Sequence, residues 1–281
     1  MAIATDNFTI VANCQQLSNQ IKKEMGKFFE LVDLGPINWL LSVSITCDIK
    51  NCTISLSQEI YINQILTQFS LDKAKAVMTP MEPGIDLTPD SPSVSPKLLT
   101  PNKKTTYHEM IGSLMYLSTM MRPDITYAVS TLSQYLNSPH MTHLEAVKRV
   151  FHYLTGTKHL CLVLSGHCLS SRSNTNGVLG FSDANWASHL HWHSISRFAF
   201  YIGIGAVSWS MKKQPIVTLS STESEYITLT HATKDIIWIH KLLTELSFFY
   251  NHKLLTPLHC NNQGAIKLLK RSHDSTPEQS T

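Results

Sequence analysis

The stretch VLGFSD, Val178 to Asp183, decides how this chain is to be read. Small and apolar residues lead directly to an aspartate, the pattern of a buried strand that ends on a carboxylate. RFAFYIG (197–203), AVSWSM (206–211) and IVTLS (216–220) read as further strands. A long amphipathic helix is expected over about 222–246, with Tyr226, Leu229, Ala232, Ile236, Leu243 and Leu246 as its apolar stripe. Strand PLHCN (257–261) and helix QGAIKLL (263–269) follow. Three or four strands, a helix, a strand and a helix make an α+β or mixed sheet with helices packed on it.

Upstream, FTIVA (8–12) reads as a short buried strand and residues 15–30 as a helix. Leu41, Val43, Ile45 and Cys47 alternate, as do Ile54 and Leu56 beyond a turn at Lys50-Asn51, which is a hairpin pattern. Gln58 to Phe69 reads as a helix with Ile62, Ile65, Leu66 and Phe69 on one face. A Pro-, Ser- and Thr-rich stretch at 78–102 marks a linker. Three helices come next: Tyr107 to Met121, one opened by Pro123, and one capped by a Thr142-His-Leu-Glu145 box and ending near Gly156.

The composition suits a folded chain of about two domains. Of 281 residues, 43% are hydrophobic and 15% charged, enough apolar material for cores. The net charge of +3 permits a nucleic-acid partner without arguing for one, since phosphate binding needs clustered Lys and Arg. The six cysteines form no CxxC pair, so a reduced intracellular setting, cytoplasmic or nuclear, is the expectation. Neither a signal peptide nor a membrane span is expected.

Asp183 at a strand end, Glu223 and Glu225 at a helix start, and Asn261 at the next strand end are the candidates for chemistry. Carboxylates gathered at one sheet edge suit hard divalent cations, and two such ions activate a water and stabilise a leaving oxygen. The same residues also fit plainer roles. Ser220-x-x-Glu223 and Thr222-x-x-Glu225 both match a capping box, Asp183 suits a turn, and Asn261-Asn262 suits a turn or helix cap. His189, His191 and His193 have the HxH spacing of a zinc site but equally suit a solvated loop.

FSDANW, VSWSMKKQPIVTLSSTESEY and CNNQGAI resemble the ribonuclease H domain of copia-type retrotransposon Pol polyproteins. FFELVDLGPINWLLSVSI, ISLSQEIYINQIL, IGSLMYLSTMMRPDITYAVSTLSQYL and AVKRVFHYLTGT resemble the reverse transcriptase tail of the same polyproteins. The resemblance covers nearly the whole chain and implies four segments. Residues 1–77 would be the end of a polymerase palm with a hairpin and helix, and 78–106 a linker. Residues 107–165 would be a helical thumb or connection, and 175–281 a ribonuclease H-like mixed sheet truncated at its C-terminus.

The resemblance also implies roles. Asp183 is the first metal-binding carboxylate and Glu225 the helix glutamate, with Glu223 as second choice. Asn261 falls where the family has Asp, and the fourth acidic position lies beyond the end of this chain. In ATDNFTIVAN, which resembles the family's Tyr-Val-Asp-Asp stretch, Asp6 retains the first Asp while Asn7 and Ala4 replace the second Asp and the Tyr. Mg2+ or Mn2+ is the implied cofactor. An RNA–DNA hybrid and the rest of the Pol polyprotein are the implied partners, with Lys212, Lys213, Lys103 and Lys104 as candidate phosphate contacts or else solvated surface. Ser42, Ser188 and Arg197 stand where Gly is usual, and Thr218 and Thr228 where Ala is usual. Polymerase activity is expected to be absent, ribonuclease H activity lost, and Arg197 to harm folding if its position needs a special backbone angle.

Overall fold

Among the described residues, two four-stranded sheets organise the chain, each flanked by helices. The computed structural model describes residues 2–4, 7–12, 14–88, 97–165, 177–187, 192–246 and 256–274. At the N-terminus β1 (Ala2–Ala4) pairs antiparallel with β2 (Asn7–Thr9). The reading of FTIVA as a buried strand is corrected: Phe8 and Val11 are exposed. A two-stranded ribbon has no further layer against which to bury a face. Helix α1 (Gln15–Met25) stops at Gly26, short of the expected residue 30.

The first large sheet has the order β3 (Trp39–Leu40), β4 (Val43–Asp48), β5 (Thr53–Ser57), β6 (Leu162–Ser165), with every neighbour antiparallel. The β4–β5 turn lies at Lys50-Asn51, as the alternation predicts. Asp48 accepts hydrogen bonds from the backbone N–H groups of Lys50 and Asn51 at 3.0 and 3.1 Å, an Asx turn. Between β3 and β4, Ser42 has φ 60°, in the left-handed region that glycine occupies without steric cost.

Helices α2 (Glu59–Gln68), α3 (Pro101–Met120), α4 (Thr126–Ser133) and α5 (Met141–Thr157) share one core. Ile62, Ile65 and Leu66 of α2 pack there with Tyr107, Leu114, Leu132 and Phe151, so residues on both sides of the Pro-rich stretch meet in one apolar cluster. Tyr107 is fully buried, and its hydroxyl donates to the Leu132 carbonyl at 2.7 Å. Pro123 opens a single 3-10 turn before α4. The expected Thr142 cap is corrected to His140. The His140 N–H donates to Nδ1 of His143 at 2.9 Å, and His143 Nε2 donates to the Leu87 carbonyl at 2.9 Å. With both ring nitrogens engaged, His143 rather than Glu145 closes the box, and burial holds its pKa below the ordinary histidine value.

The second sheet has the order β10 (Leu258–His259), β7 (Val178–Asn185), β8 (Ile195–Ile202), β9 (Gly205–Lys213). β10 is parallel to β7 and the other neighbours are antiparallel, so the sheet is mixed. Helix α6 (Ser221–Glu245) covers one face, with Ala232, Ile239 and Leu243 packed on Val178 and Phe200, and α7 (Gln263–Asp274) follows β10. Ile239 belongs to the buried stripe, whereas Tyr226 and Leu246 are exposed, contrary to expectation. IVTLS forms no strand: Ile216, Val217 and Leu219 are exposed on a segment that leads into the helix cap. Its apolar residues imitate a strand, but β9 already ends at Lys213 and no ladder continues beyond it. A Cβ on Gly180 would lie 2.5 Å from the Phe200 ring and 2.9 Å from Leu258, so the glycine permits β10 and Phe200 to close on β7. The sheet docks on the helices where Trp209 Nε1 donates to the Ser118 carbonyl at 2.7 Å and Ser130 Oγ to the Met211 carbonyl at 3.2 Å. No helix among the described residues is long and apolar enough to cross a membrane.

Arg122 ties the α3–α4 corner to the end of α5. Its side chain is 4% exposed, grips Asp124 through Nε and Nη2, and donates to both the carbonyl and the hydroxyl of Thr157. Burial raises the Asp124 pKa, but hydrogen bonds from Arg122 outweigh it and hold the carboxyl below its ordinary value of 3.8. Arg122→Ala, which strands a partly buried carboxylate, is expected to cost about 3 kcal/mol in urea unfolding at pH 7. Because the folded pKa of Asp124 is depressed, its stabilisation is present above pH 3.8 and is lost as pH falls through the folded value. The stability gap between wild type and Asp124→Asn should therefore narrow as pH drops below 3.8, and a gap that widened would contradict this assignment.

Candidate functional site

Strand β7 delivers Asp183 two residues before its end, directly opposite Arg197 on β8. Side chains of directly opposed residues leave the same face of a sheet. The two form an ion pair with Arg197 Nη2 3.6 Å from Asp183 Oδ2, and their side chains are 34% and 48% exposed. Glu225 reaches the same corner from the second turn of α6 and is only 4% exposed. The backbone N–H of Ala184 donates to its carboxylate, and the Cys260 thiol lies 3.8 Å from Oε2. Burial raises the Glu225 pKa and the Asp183 charge adds to the rise, while Ala184, Cys260 and Arg197 pull the other way. Burial also pushes the Cys260 thiol up, and the carboxylates of Glu225 and Asp183 reinforce the shift.

Glu223 has the plainer of its two candidate roles. Ser220 is the N-cap of α6 and accepts from the Glu223 N–H at 3.1 Å, while Glu223 Oε2 accepts from the Leu219 N–H at 2.8 Å. Its carboxylate therefore serves the helix start, and Glu225 faces the sheet. Asn261 is exposed just past β10, and its neighbour Asn262 caps α7 by accepting from the Ala265 N–H at 3.0 Å. In this segment it is Cys260 that contacts Glu225. Nothing in the spacing of HCNNQGAI singled out that thiol, whose position follows from the parallel pairing of β10 with β7.

The other candidates lie elsewhere. Asp6, His189 and His191 fall outside the described residues, and His193 Nδ1 bonds to the Gln214 carbonyl at 2.8 Å. Lys104 donates to the Asn137 carbonyl at 2.7 Å and Lys103 reaches Met141 Sδ at 3.7 Å, both on the helical module. Lys212 and Lys213 end β9, with Lys212 exposed.

The family described as reverse transcriptase (RNA-dependent DNA polymerase) matches residues 1–83. The Pol polyprotein of transposon TNT 1-94 from Nicotiana tabacum is 33% identical over 97% of this chain and 20% of its own length. That of transposon RE1 from Arabidopsis thaliana is 34% identical over 95% of this chain and 17% of its own length. A putative transposon Ty5-1 protein from Saccharomyces cerevisiae is 30% identical over 84% of this chain and 73% of its own length. The chain belongs to the copia-type retrotransposon Pol family. It spans about a fifth of the length of the first two relatives. No solved structure matches it.

Copia-type Pol membership implies a metal-dependent site, and the donors at this corner do not fit one. Among the described residues no three His, Cys, Asp or Glu are placed to share a metal ion. Of the two carboxylates that meet, one is paired with Arg197 and the other is buried with a raised pKa. Hard divalent ions need several anionic oxygens. Two residues that the sequence resemblance marks as departures nevertheless fit the interior. Thr228 is fully buried, with Oγ1 2.9 Å from Ser196 Oγ and 3.0 Å from the Ser224 carbonyl, and Gln214 Nε2 bonds Ser196, Ser224 and Thr228. Thr218 is buried and shares a 2.9 Å hydrogen bond with Ser194. Thr228→Ala is accordingly expected to cost about 1 kcal/mol in urea unfolding, and an unchanged midpoint would show that this hydroxyl adds nothing.

Proposed function

We propose that this chain is a copia-type Pol segment whose second sheet module, residues 175–281, keeps a ribonuclease H-like arrangement without hydrolysing RNA–DNA hybrid. Residues 1–77 would derive from the palm and 107–165 from the thumb or connection, with the intervening 78–106 as linker. The observation that supports the reading is the electrostatic effect of Asp183 on buried Glu225 at the end of β7, with Asn261, an amide where the resemblance implies a carboxylate, just past β10. An amide supplies a carbonyl oxygen but no negative charge to offset that of metal ions.

Were the ancestral reaction active, Asp183 and Glu225 would hold Mg2+ or Mn2+, which supplies the nucleophilic water in such sites. The purified chain incubated with end-labelled RNA–DNA hybrid and either ion should show no cleavage above a buffer control. Cleavage that disappears on Asp183→Ala would overturn the reading.

A second reading, binding of hybrid without cleavage, is favoured by Lys212 and Lys213. Lys212 is in register with Ser196 and Lys213 with Ile195, so the two cations end β9 at the edge of the second sheet. Contacts of this kind act on phosphates and lose strength with salt. Fluorescence anisotropy with labelled hybrid should then give binding weakened by Lys212→Ala with Lys213→Ala, and absence of binding at low salt would remove this reading.

A further inference from the structure

The geometry points to Arg197 as a tethered cation that takes the place of a metal ion at the Asp183–Glu225 corner. The inference rests on the reading of that corner as a former hydrolytic site, and it makes a separate claim: metal binding is blocked by a charge within the fold, beyond the loss of a ligand at Asn261.

Four observations support it. The first is position: Arg197 lies directly opposite Asp183 in the β7–β8 ladder, so its side chain leaves the sheet on the same face as the carboxylate. The second is charge: Nη2 is 3.6 Å from Asp183 Oδ2, and the same guanidinium acts electrostatically on Glu225. The third is backbone: Arg197 sits in a regular stretch of β8 and is not among the residues with positive φ. The expectation that this substitution would harm folding through a special backbone angle is corrected, because an extended strand accepts any L-residue with a side chain on its open face. The fourth is directional: Arg197 Nε is buried without a hydrogen-bond partner, so the guanidinium is held by attraction to the acids and not by a full set of hydrogen bonds.

Guanidinium remains protonated across the whole working pH range, so this cation cannot be titrated away. A divalent ion bound to Asp183 would sit about 2.1 Å from the carboxylate oxygen, within a few ångströms of the guanidinium that already pairs with it. A like charge at such range shifts a site's equilibrium by roughly tenfold or more. Glycine at 197 would leave that space to solvent.

The test is calorimetric titration of Mn2+ into the full 281-residue chain, with far-UV circular dichroism confirming that each variant is folded. Wild type should bind Mn2+ at best in the millimolar range. Arg197→Met, which matches the Met211 paired beside it, should bind roughly tenfold or more tightly, and adding Asp183→Asn should abolish the gain. Arg197→Lys should stay at the wild-type level. A folded Arg197→Met chain with unchanged Mn2+ affinity overturns the inference. So does a wild-type chain that binds Mn2+ with micromolar affinity lost on Asp183→Asn, a result that needs no substitution at 197. Neither result bears on cleavage: a wild type that fails to cut hybrid while Arg197→Met gains no Mn2+ leaves the proposed function standing and removes only the tethered cation.

Discussion

The antiparallel register between β7 and β8 is the constraint on which the Asp183–Arg197 corner depends. It sets Asp183 against Arg197 and sends Val178, Gly180 and Ser182 to the face that meets α6. A slip of one residue would exchange the two faces, exposing Phe200 and burying Asp183. The close fit of Gly180 against Phe200 and Leu258 makes such a slip costly. With the register pinned, the residue at 197 stands beside Asp183 whatever its chemistry, and an arginine there places a permanent positive charge next to that carboxylate.

Beneath that corner lies a buried polar layer of Ser194, Ser196, Gln214, Thr218, Ser224 and Thr228. Its hydroxyls and the Gln214 amide nitrogen bond one another across the start of β8, the segment after β9, and α6, while Gln214 Oε1 is buried without a partner. Thr218 and Thr228, which the sequence resemblance marks as departures, join this network. Arg197 lies on the face of β8 away from α6 and Asn261 just past β10, whereas Thr218 and Thr228 are buried and each brings a hydrogen bond into the core.

Much of the architecture was legible in the sequence because period-two alternation and turn chemistry are local signals. The β4–β5 hairpin, the strands at Val178–Asn185 and Ile195–Ile202 and the long α6 follow from them. The signal failed where burial depends on a distant partner. FTIVA and IVTLS have strand composition but no layer to cover their large apolar residues, so Phe8, Val11, Ile216, Val217 and Leu219 stay exposed. The Thr142 box looked complete locally, yet His143 won because Leu87, 56 residues away, anchors its far nitrogen. At the site, the candidate acids could be named from the motifs. The Cys260 contact and the Arg197 pairing could not, since both arise from strand pairing between segments that spacing alone does not relate.

The measurement that bears most directly on the ion pair is a double-mutant cycle of Asp183→Asn and Arg197→Met in the full chain, followed by urea unfolding at two ionic strengths. For a half-exposed pair, a favourable coupling of about 0.5–1 kcal/mol at low salt is expected, shrinking as salt screens the charges. A coupling of zero, or one of the opposite sign, would mean that the two charges do not hold each other and that Arg197 is not the cation of this site.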